Sequence, residues 1–283
     1  MTTRRPELPS LVATFLGTWW DLWTSGQVAN VIPETLPVYT FTGQHLLLDD
    51  GNGDWRIKFL SSGVLTWLSN NLKIDLFLVG GGSSGDTGGD SIRPYNGGCG
   101  GFTKTVKSID LNKNDRINIY VGAGGEATTG TSPSYNGGGK SSFAEYEANG
   151  GTVSSGGSGG GAGGLNTNSV YTDGGDGGSD GEDGETLSKS GYSRPGGTGQ
   201  KSTTTEFGEP GTDLYSGGGG GGSVTMLAGQ GGQGTPVLAG GGAAGKWGYP
   251  GGGYGGGGGG SAAIGSAPGK GAQGIVIIRN ART

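Results

Sequence analysis

The sequence predicts a mainly β protein in which a β-sandwich, jelly-roll-like, is combined with a bundle of glycine-rich polyglycine II helices, preceded by one short helix. Three observations predict it. Up to about residue 150, short stretches rich in β-forming residues alternate apolar and polar positions. A last such stretch, 275–279, returns after roughly 120 glycine-rich residues, and a structureless loop of that length inside a compact domain is uncommon. Two unbroken blocks of six glycines, 217–222 and 255–260, lie between turns that carry aromatic rings.

The elements follow in order. Residues 1–38 read as an attachment arm. In "PSLVATFLGTWWDLWTSG", Ser10 is a candidate N-cap and Gly26 a stop. Leu11, Phe15, Trp19, Leu22 and Trp23 fall near helical spacing. "VANVIPETLPVYTF" is broken by proline and extended. Strands then begin with "VYTFTG". "GNGDWRIKFLSSGVLTWLSN" reads as a hairpin turning at "SSG", with Trp55, Ile57 and Phe59 on one face. "LKIDLFLVGGG" aligns Ile74, Leu76 and Leu78, and "GGFTKTVKSIDL" aligns Phe102 with Val106. "DRINIYVGAGG" aligns Ile117, Ile119 and Val121, and "SSFAEYEANGG" supplies Phe143 and Tyr146. With "GIVIIRN" the total is about eight strands. The domains read as an arm, 1–38; a sandwich, 39–150 plus 272–283; and, interleaved with it, a glycine-rich bundle with variable loops, 80–271.

Only six of the 72 glycines precede residue 80. The blocks of six break the strict every-third-residue rule of collagen. A polyproline II helix has three residues per turn and no internal hydrogen bonds. Its N–H and C=O groups point outward, and once buried they must be paired. Packed against copies of itself, such a helix can pair them between helices, provided no side chain holds the backbones apart. A helix inside the bundle then needs glycine on all three faces, as in "GGGGGG". One at the rim can read G-G-x.

Composition excludes several functions. One cysteine, Cys99, and one histidine, His45, leave no disulfide and no thiolate metal cluster. One histidine and one cysteine, the latter flanked by glycine, also speak against a hydrolytic triad, since a nucleophile needs a base beside it. The net charge of −5 and a pI near 4.9, with no basic stripe, speak against nucleic acid. No run of 18 apolar residues exists to insert into a membrane, and the apolar run after Arg4 and Arg5 is broken by Gly17 and Asp21, unlike a secretory signal. "SYNGGGKSSF" lacks the first glycine of a phosphate loop, where Ser134 stands. No cofactor is expected.

"FLVGGGSSG", "GGCGGFTKTVKSI", "DRINIYVGAGG", "YNGGGKSSF", "GQKSTTTEFGEPGTDLYSGGGGGG" and "GKGAQGIVIIRN" together resemble the glycine-rich domains of bacteriophage tail fibres and related prophage proteins. The pattern also resembles the glycine-rich domain of the anaplastic lymphoma kinase receptor. The resemblance covers about residues 40–283. It implies a β-sandwich carrying a hexagonal bundle of polyglycine II helices. It also implies receptor contacts from loops between helices, as in the tip adhesins of T-even-like phages. Unlike those adhesins, this chain frames its glycine region with strands.

The expected function is that of a non-enzymatic tail-fibre or tail-tip protein of a virion. It would act outside the cell and bind a bacterial surface receptor, a glycan or an outer protein loop. Its other partners would be further tail-fibre chains or copies of itself, as a trimer. The alternatives are a cellular surface or matrix protein with the same glycine fold, and a glycan-active enzyme. Candidate receptor-binding residues are Tyr171, Tyr192, Arg194, Trp247 and Tyr249, which place rings or a forked donor at turns. Candidate attachment residues are Phe15, Trp19, Trp20 and Trp23. In "YTDGGDGGSDGEDGE" the acidic residues Asp176, Asp180 and Asp183 could hold calcium, but the spacing matches no calcium loop, and a solvated acidic rim is the simpler reading.

Overall fold

Twelve short strands and one 3-10 turn, Glu206–Gly208, account for the regular structure of the computed structural model, which describes residues 36–87, 96–129, 135–161, 175–178, 183–184, 205–209, 212–221, 248–261 and 266–282. The helix expected over 10–26 lies outside these residues. Residues Pro37–Thr283 form one compact unit. None of the helices among the described residues is long and apolar enough to cross a membrane.

The strands are β1 (Tyr39–Phe41), β2 (His45–Gly51), β3 (Asp54–Phe59), β4 (Gly63–Trp67), β5 (Leu72–Val79), β6 (Thr103–Leu111), β7 (Arg116–Tyr120), β8 (Ser141–Phe143), β9 (Tyr146–Ala148), β10 (Ser155–Gly156), β11 (Asp176–Gly177) and β12 (Ile275–Asn280). One antiparallel sheet has the order β1-β4-β7-β8-β9 and the other β2-β3-β12-β5-β6, while β10 and β11 form a small parallel pair. Alternation sorts each strand between core and surface. Trp55, Ile57, Phe59, Ile74, Leu76, Leu78, Val276 and Ile278 from one sheet meet Leu65, Trp67, Ile119 and Phe143 from the other. The returning strand β12 sits in the middle of its sheet, antiparallel to both β3 and β5.

Three readings change. The hairpin across "SSG" does not form: β3 pairs with β2 and β12, and β4 pairs with β1 and β7, so "SSG" carries the chain from one sheet to the other. The hairpin on β3 is with β2, a strand the periodicity missed because Leu46, Leu47 and Leu48 do not alternate. Its two-residue turn is Asn52-Gly53, both with positive φ (56° and 84°), as a type I′ turn requires. In β6, Ser108 has φ 58° at a bulge, so the side chains facing the core shift from Val106 to Ile109 and Leu111.

From the ends of these strands the glycine segments run on as extended helices. Along residues 80–86 successive N–H groups turn through three neighbours. Gly80, Ser83 and Asp86 donate to Phe102, Cys99 and Asn96. Gly81 and Ser84 donate to Gly139 and Asn136, and Gly82 and Gly85 to Ala272 and Gly269. A donor step of three answered by an acceptor step of minus three is the signature of antiparallel helices with three residues per turn. Segment 96–102 repeats it: Gly97 and Gly100 donate to Gly161 and Ser158, Gly98 and Gly101 to Gly258 and Gly255, Cys99 and Phe102 to Thr152 and Asn149. Parallel pairs occur as well, with Gly257 and Gly260 donating to Gly217 and Gly220.

Six helices close a ring around 80–86. In order they are 96–102, 149–152, 135–139, 122–125, 266–274 and 255–260. Adjacent members are joined by Cys99 to Thr152, Gly138 to Gly151, Gly139 to Ala123, Gly271 to Gly125, Ala272 to Gly256 and Gly98 to Gly258. The arrangement is hexagonal polyglycine II packing.

The helix at the centre of the ring is not one of the blocks of six glycines. It carries Ser83 and Ser84, both fully buried. Their hydroxyls enter the lattice as hydrogen-bonding groups, Ser83 Oγ donating to Thr152 O (2.7 Å) and Ser84 Oγ accepting from Asn136 N (2.9 Å). At many of the lattice glycines there is no room for a side chain. A Cβ at Gly98 would meet the carbonyl oxygens of Ser83 and Ser84, and one at Gly219 that of Gly258. Rim helices expose every third residue, such as Ala123 and Glu126, Gly137 and Lys140, and Lys270 and Gln273. Lys270 pairs with Glu126 across two of these helices at 2.5 Å.

Candidate functional site

The helices carry the chain away from the sandwich. From Gly80, bonded beside β6 at Phe102, to Asp86, bonded to Asn96, is two turns, about 19 Å at the rise of such a helix. Near the level of Asp86 several of the described helices end, while 149–152 turns back a turn earlier, where Thr152 N donates to Ser155 O. Gly269 is bonded to Gly85, Gly259 to Gly269 through its carbonyl, and Tyr249 O to Gly259 N (2.9 Å). Ser261 Oγ reaches Thr87 O (3.4 Å), Asn136 O accepts from Ser84, and Gly161 O accepts from Gly97. The described stretches that stop at 87, 161, 221 and 261 and resume at 96, 135, 248 and 266 thus stop and resume toward one end of the lattice, the end remote from the sandwich.

Two exposed aromatic residues mark that end, Tyr249 at 61 % exposure and Tyr135 at 42 %. Each stands where a helix meets the remote layer, so the lattice fixes the backbone beneath the ring. Tyr249 was expected from its turn. Tyr135 was missed, although "PSYNGGG" puts a ring directly before a glycine helix just as "WGYPGGG" does. The two are not brought together: helices 122–125 and 266–274 lie between theirs. Tyr171, Tyr192, Arg194 and Trp247 lie outside the described residues, as do Phe15, Trp19, Trp20 and Trp23.

Of the acidic candidates, Asp176 lies on β11 and Asp183 follows it. One carboxylate oxygen of Asp183 accepts from Gly177 N (2.6 Å), which fastens the backbone. Asp180 lies outside the described residues. Among the described residues no group of three or more His, Cys, Asp or Glu side chains could hold a metal ion.

The single cysteine and the single histidine are both engaged in structure. Cys99 is fully buried in helix 96–102, where its sulfur accepts from Gly160 N (3.2 Å). Burial pushes its thiol up to about 12, outweighing that hydrogen bond, so it holds no thiolate near neutrality. His45 packs edge-on against Tyr39 and Phe41. What the remote end offers chemically is a rigid backbone platform with exposed rings at its edge, which suits binding.

No curated protein matches the sequence. The sequence pattern of the family described as glycine-rich domain matches residues 60–281, from the crossover between the sheets to the end of the returning strand. That match takes in most of the sandwich and the whole of the lattice, and the chain belongs to the glycine-rich domain family.

Proposed function

We propose that the chain is a structural and receptor-binding protein of a phage tail fibre or tail tip, acting through the segments that join its glycine helices at the end remote from the sandwich. The observation that supports this reading is the common end, remote from the sandwich, at which described helices of a lattice hydrogen-bonded in two dimensions stop. Binding residues belong on variable connections held by a rigid scaffold. Here the lattice is held by backbone hydrogen bonds between its helices, which leaves the sequence of connections at that end free to follow a receptor. The receptor is a bacterial surface glycan or an outer protein loop, and the role is binding, not catalysis. The arm, with Trp19, Trp20 and Trp23 in five residues, supplies the attachment to other fibre chains or to copies of this one.

The test is binding of the purified protein to a panel of bacterial cells, repeated with a Trp247→Ala/Tyr249→Ala variant. The reading expects host-restricted binding, weakened in the variant at an unchanged melting temperature. Full binding by a variant with Tyr171, Tyr192, Arg194, Trp247 and Tyr249 all replaced would place the receptor contact elsewhere. Absence of the chain from purified virions would favour a cellular surface protein.

A further inference from the structure

We propose that residues 205–209 and 212–215 form an ionic latch on the sandwich, which lifts as a unit when two carboxylates are neutralised and bares an apolar patch while both sheets stay folded. The latch lies on the outer face of the β2-β3-β12-β5-β6 sheet. There Phe207 and Tyr215 cover Phe77, Val79, Ile275 and Ile277, the side chains of β5 and β12 that point away from the sandwich core.

Its backbone closes on itself. Thr205 bridges to Leu214, Glu206 N donates to Asp213 O, Gly208 N to Thr205 O, Glu209 N to Glu206 O and Thr212 N to Glu209 O. Side chains fasten this loop to the sheet. Glu206, 1 % exposed, accepts from Arg56 (2.5 Å) and Lys58 (2.9 Å) of β3 and from Tyr215 Oη (2.6 Å). Glu209 accepts from Arg279 of β12 (2.8 Å), with Lys107 of β6 at 3.9 Å, and Asp213 stands 3.7 Å from Lys58. Phe207 lies under the Arg279 guanidinium, 4.2 Å from its ring centre, and its backbone is left-handed at φ 57°. That conformation is costly for a bulky residue and is kept only while its surroundings hold it.

The sheet's two arginines do not depend on the latch for a partner, whereas Lys58 is paired with Glu206, Asp213 and Tyr215 of the latch and passes into water when it leaves. Arg56 also pairs with Asp50 of β2 (2.8 Å), and Arg279 with Asp75 of β5 (3.1 Å). Arg282 holds Asp50 as well, and Asp75 further accepts from Ser108 N and Lys107. When the latch leaves, neither arginine is orphaned, and Glu206 and Glu209 pass into water. The sign follows from their carboxyls. Burial acts to raise Glu206, but the Tyr215 hydrogen bond and the charges of Lys58 and Arg56 outweigh it, and Arg279 foremost lowers Glu209. Both folded values are depressed, so attachment is complete above the ordinary glutamate value of about 4.3 and is lost as pH falls through the lower folded values.

The test is amide exchange of the full chain with Glu206→Gln/Glu209→Gln at pH 7. The proposal expects exchange at 205–209 and 212–215 to rise about tenfold or more, with β5 and β12 unchanged and with new binding of an apolar dye. An unaltered latch, or a latch and β12 that quicken together, overturns it. Should that variant fail to fold, the wild-type protein titrated from pH 7 to 3 decides. Latch exchange and dye binding must then precede the loss of the buried Trp55 and Trp67 fluorescence signature. A single coincident transition refutes a separate latch.

Discussion

Alanine at Gly257 and alanine at Gly137 are expected to move stability in opposite directions. A Cβ on Gly257 would fall on the carbonyl oxygen of Gly98, 2.6 Å from its carbonyl carbon and 2.9 Å from that of Cys99. All three are backbone atoms with no rotamer to change. Nor can Gly257 turn away, because its N–H is held by Gly217 O (2.8 Å) and the next N–H by Ser83 O (2.9 Å). Relief requires helix 255–260 to part from 96–102, which breaks the bonds from Gly98 to Gly258 and from Gly101 to Gly255, both 2.8 Å. Each buried donor left unpaired costs about 1–3 kcal/mol, so Gly257→Ala should lose about 2–6 kcal/mol. Gly137 faces solvent. A Cβ there meets only Gly151 O, at 3.4 Å, an ordinary contact, and its φ lies outside the left-handed region. Gly137→Ala should therefore gain about 0.4–1 kcal/mol by restricting the unfolded chain. Urea unfolding at constant m reads both values. If both variants lie within about 0.5 kcal/mol of the wild type, which is ordinary for surface changes, backbone-on-backbone packing is not what makes glycine necessary here.

Three further outcomes are expected. Arg279→Ala leaves Asp75 buried beside it and should cost about 3–5 kcal/mol by thermal or chemical unfolding, and a loss under 1 kcal/mol would mean that Lys107 and Ser108 suffice for Asp75. Cys99 should resist a thiol-specific reagent in the native protein and react fully in denaturant, and rapid labelling of the folded chain contradicts its place in the lattice. Deleting residues 1–38 should leave the fold intact and abolish assembly, and a truncated protein that still assembles removes the arm as the attachment element.

The sandwich was legible because its strands obey period two. Trp55, Ile57 and Phe59 announced β3 by alternation, and they are buried. Pairing was less legible, since alternation gives a strand its faces and not its neighbours. "SSG" looks like a turn and serves as a crossover, whereas the Asn52-Gly53 pair that closes the true hairpin went unread. The lattice was legible as a type but not in its arrangement. Chain order says nothing of which helix sits at the centre, and nothing in it marks Ser83 and Ser84, whose hydroxyls bond inside the lattice, as central. The ionic pairing of the Glu206–Glu209 segment carried no sequence signal, because its partners Arg56, Lys58 and Arg279 lie about 70 to 150 positions away. Of the remote end, only Tyr249 was both foreseen and described.

The order of the lattice is explained by the sandwich that feeds it. In the first sheet β7, β8 and β9 are consecutive, and their helices 122–125, 135–139 and 149–152 are consecutive in the ring. In the second, β5 lies between β12 and β6, and helix 80–86 is bonded to both 266–274 and 96–102. Each sheet thus hands its strand order to the glycine helices, and the first sheet's row lies directly on helix 80–86. Packed sheets stand about 10 Å apart, held off by the side chains between them. For the two rows to share hydrogen bonds, those side chains must stop where the strands stop. Glycine stands at or beside each such joint: Gly80 after β5, Gly101 before β6, Gly122 after β7, Gly139 before β8, Gly150 after β9 and Gly274 before β12. A Cβ at Gly80 would meet the Asn149 carbonyl, one at Gly150 that of Gly138 and one at Gly274 that of Val79. The joint glycines are the points at which an apolar core gives way to a hydrogen-bonded one, and the register of the whole bundle descends from the strand pairs that precede them.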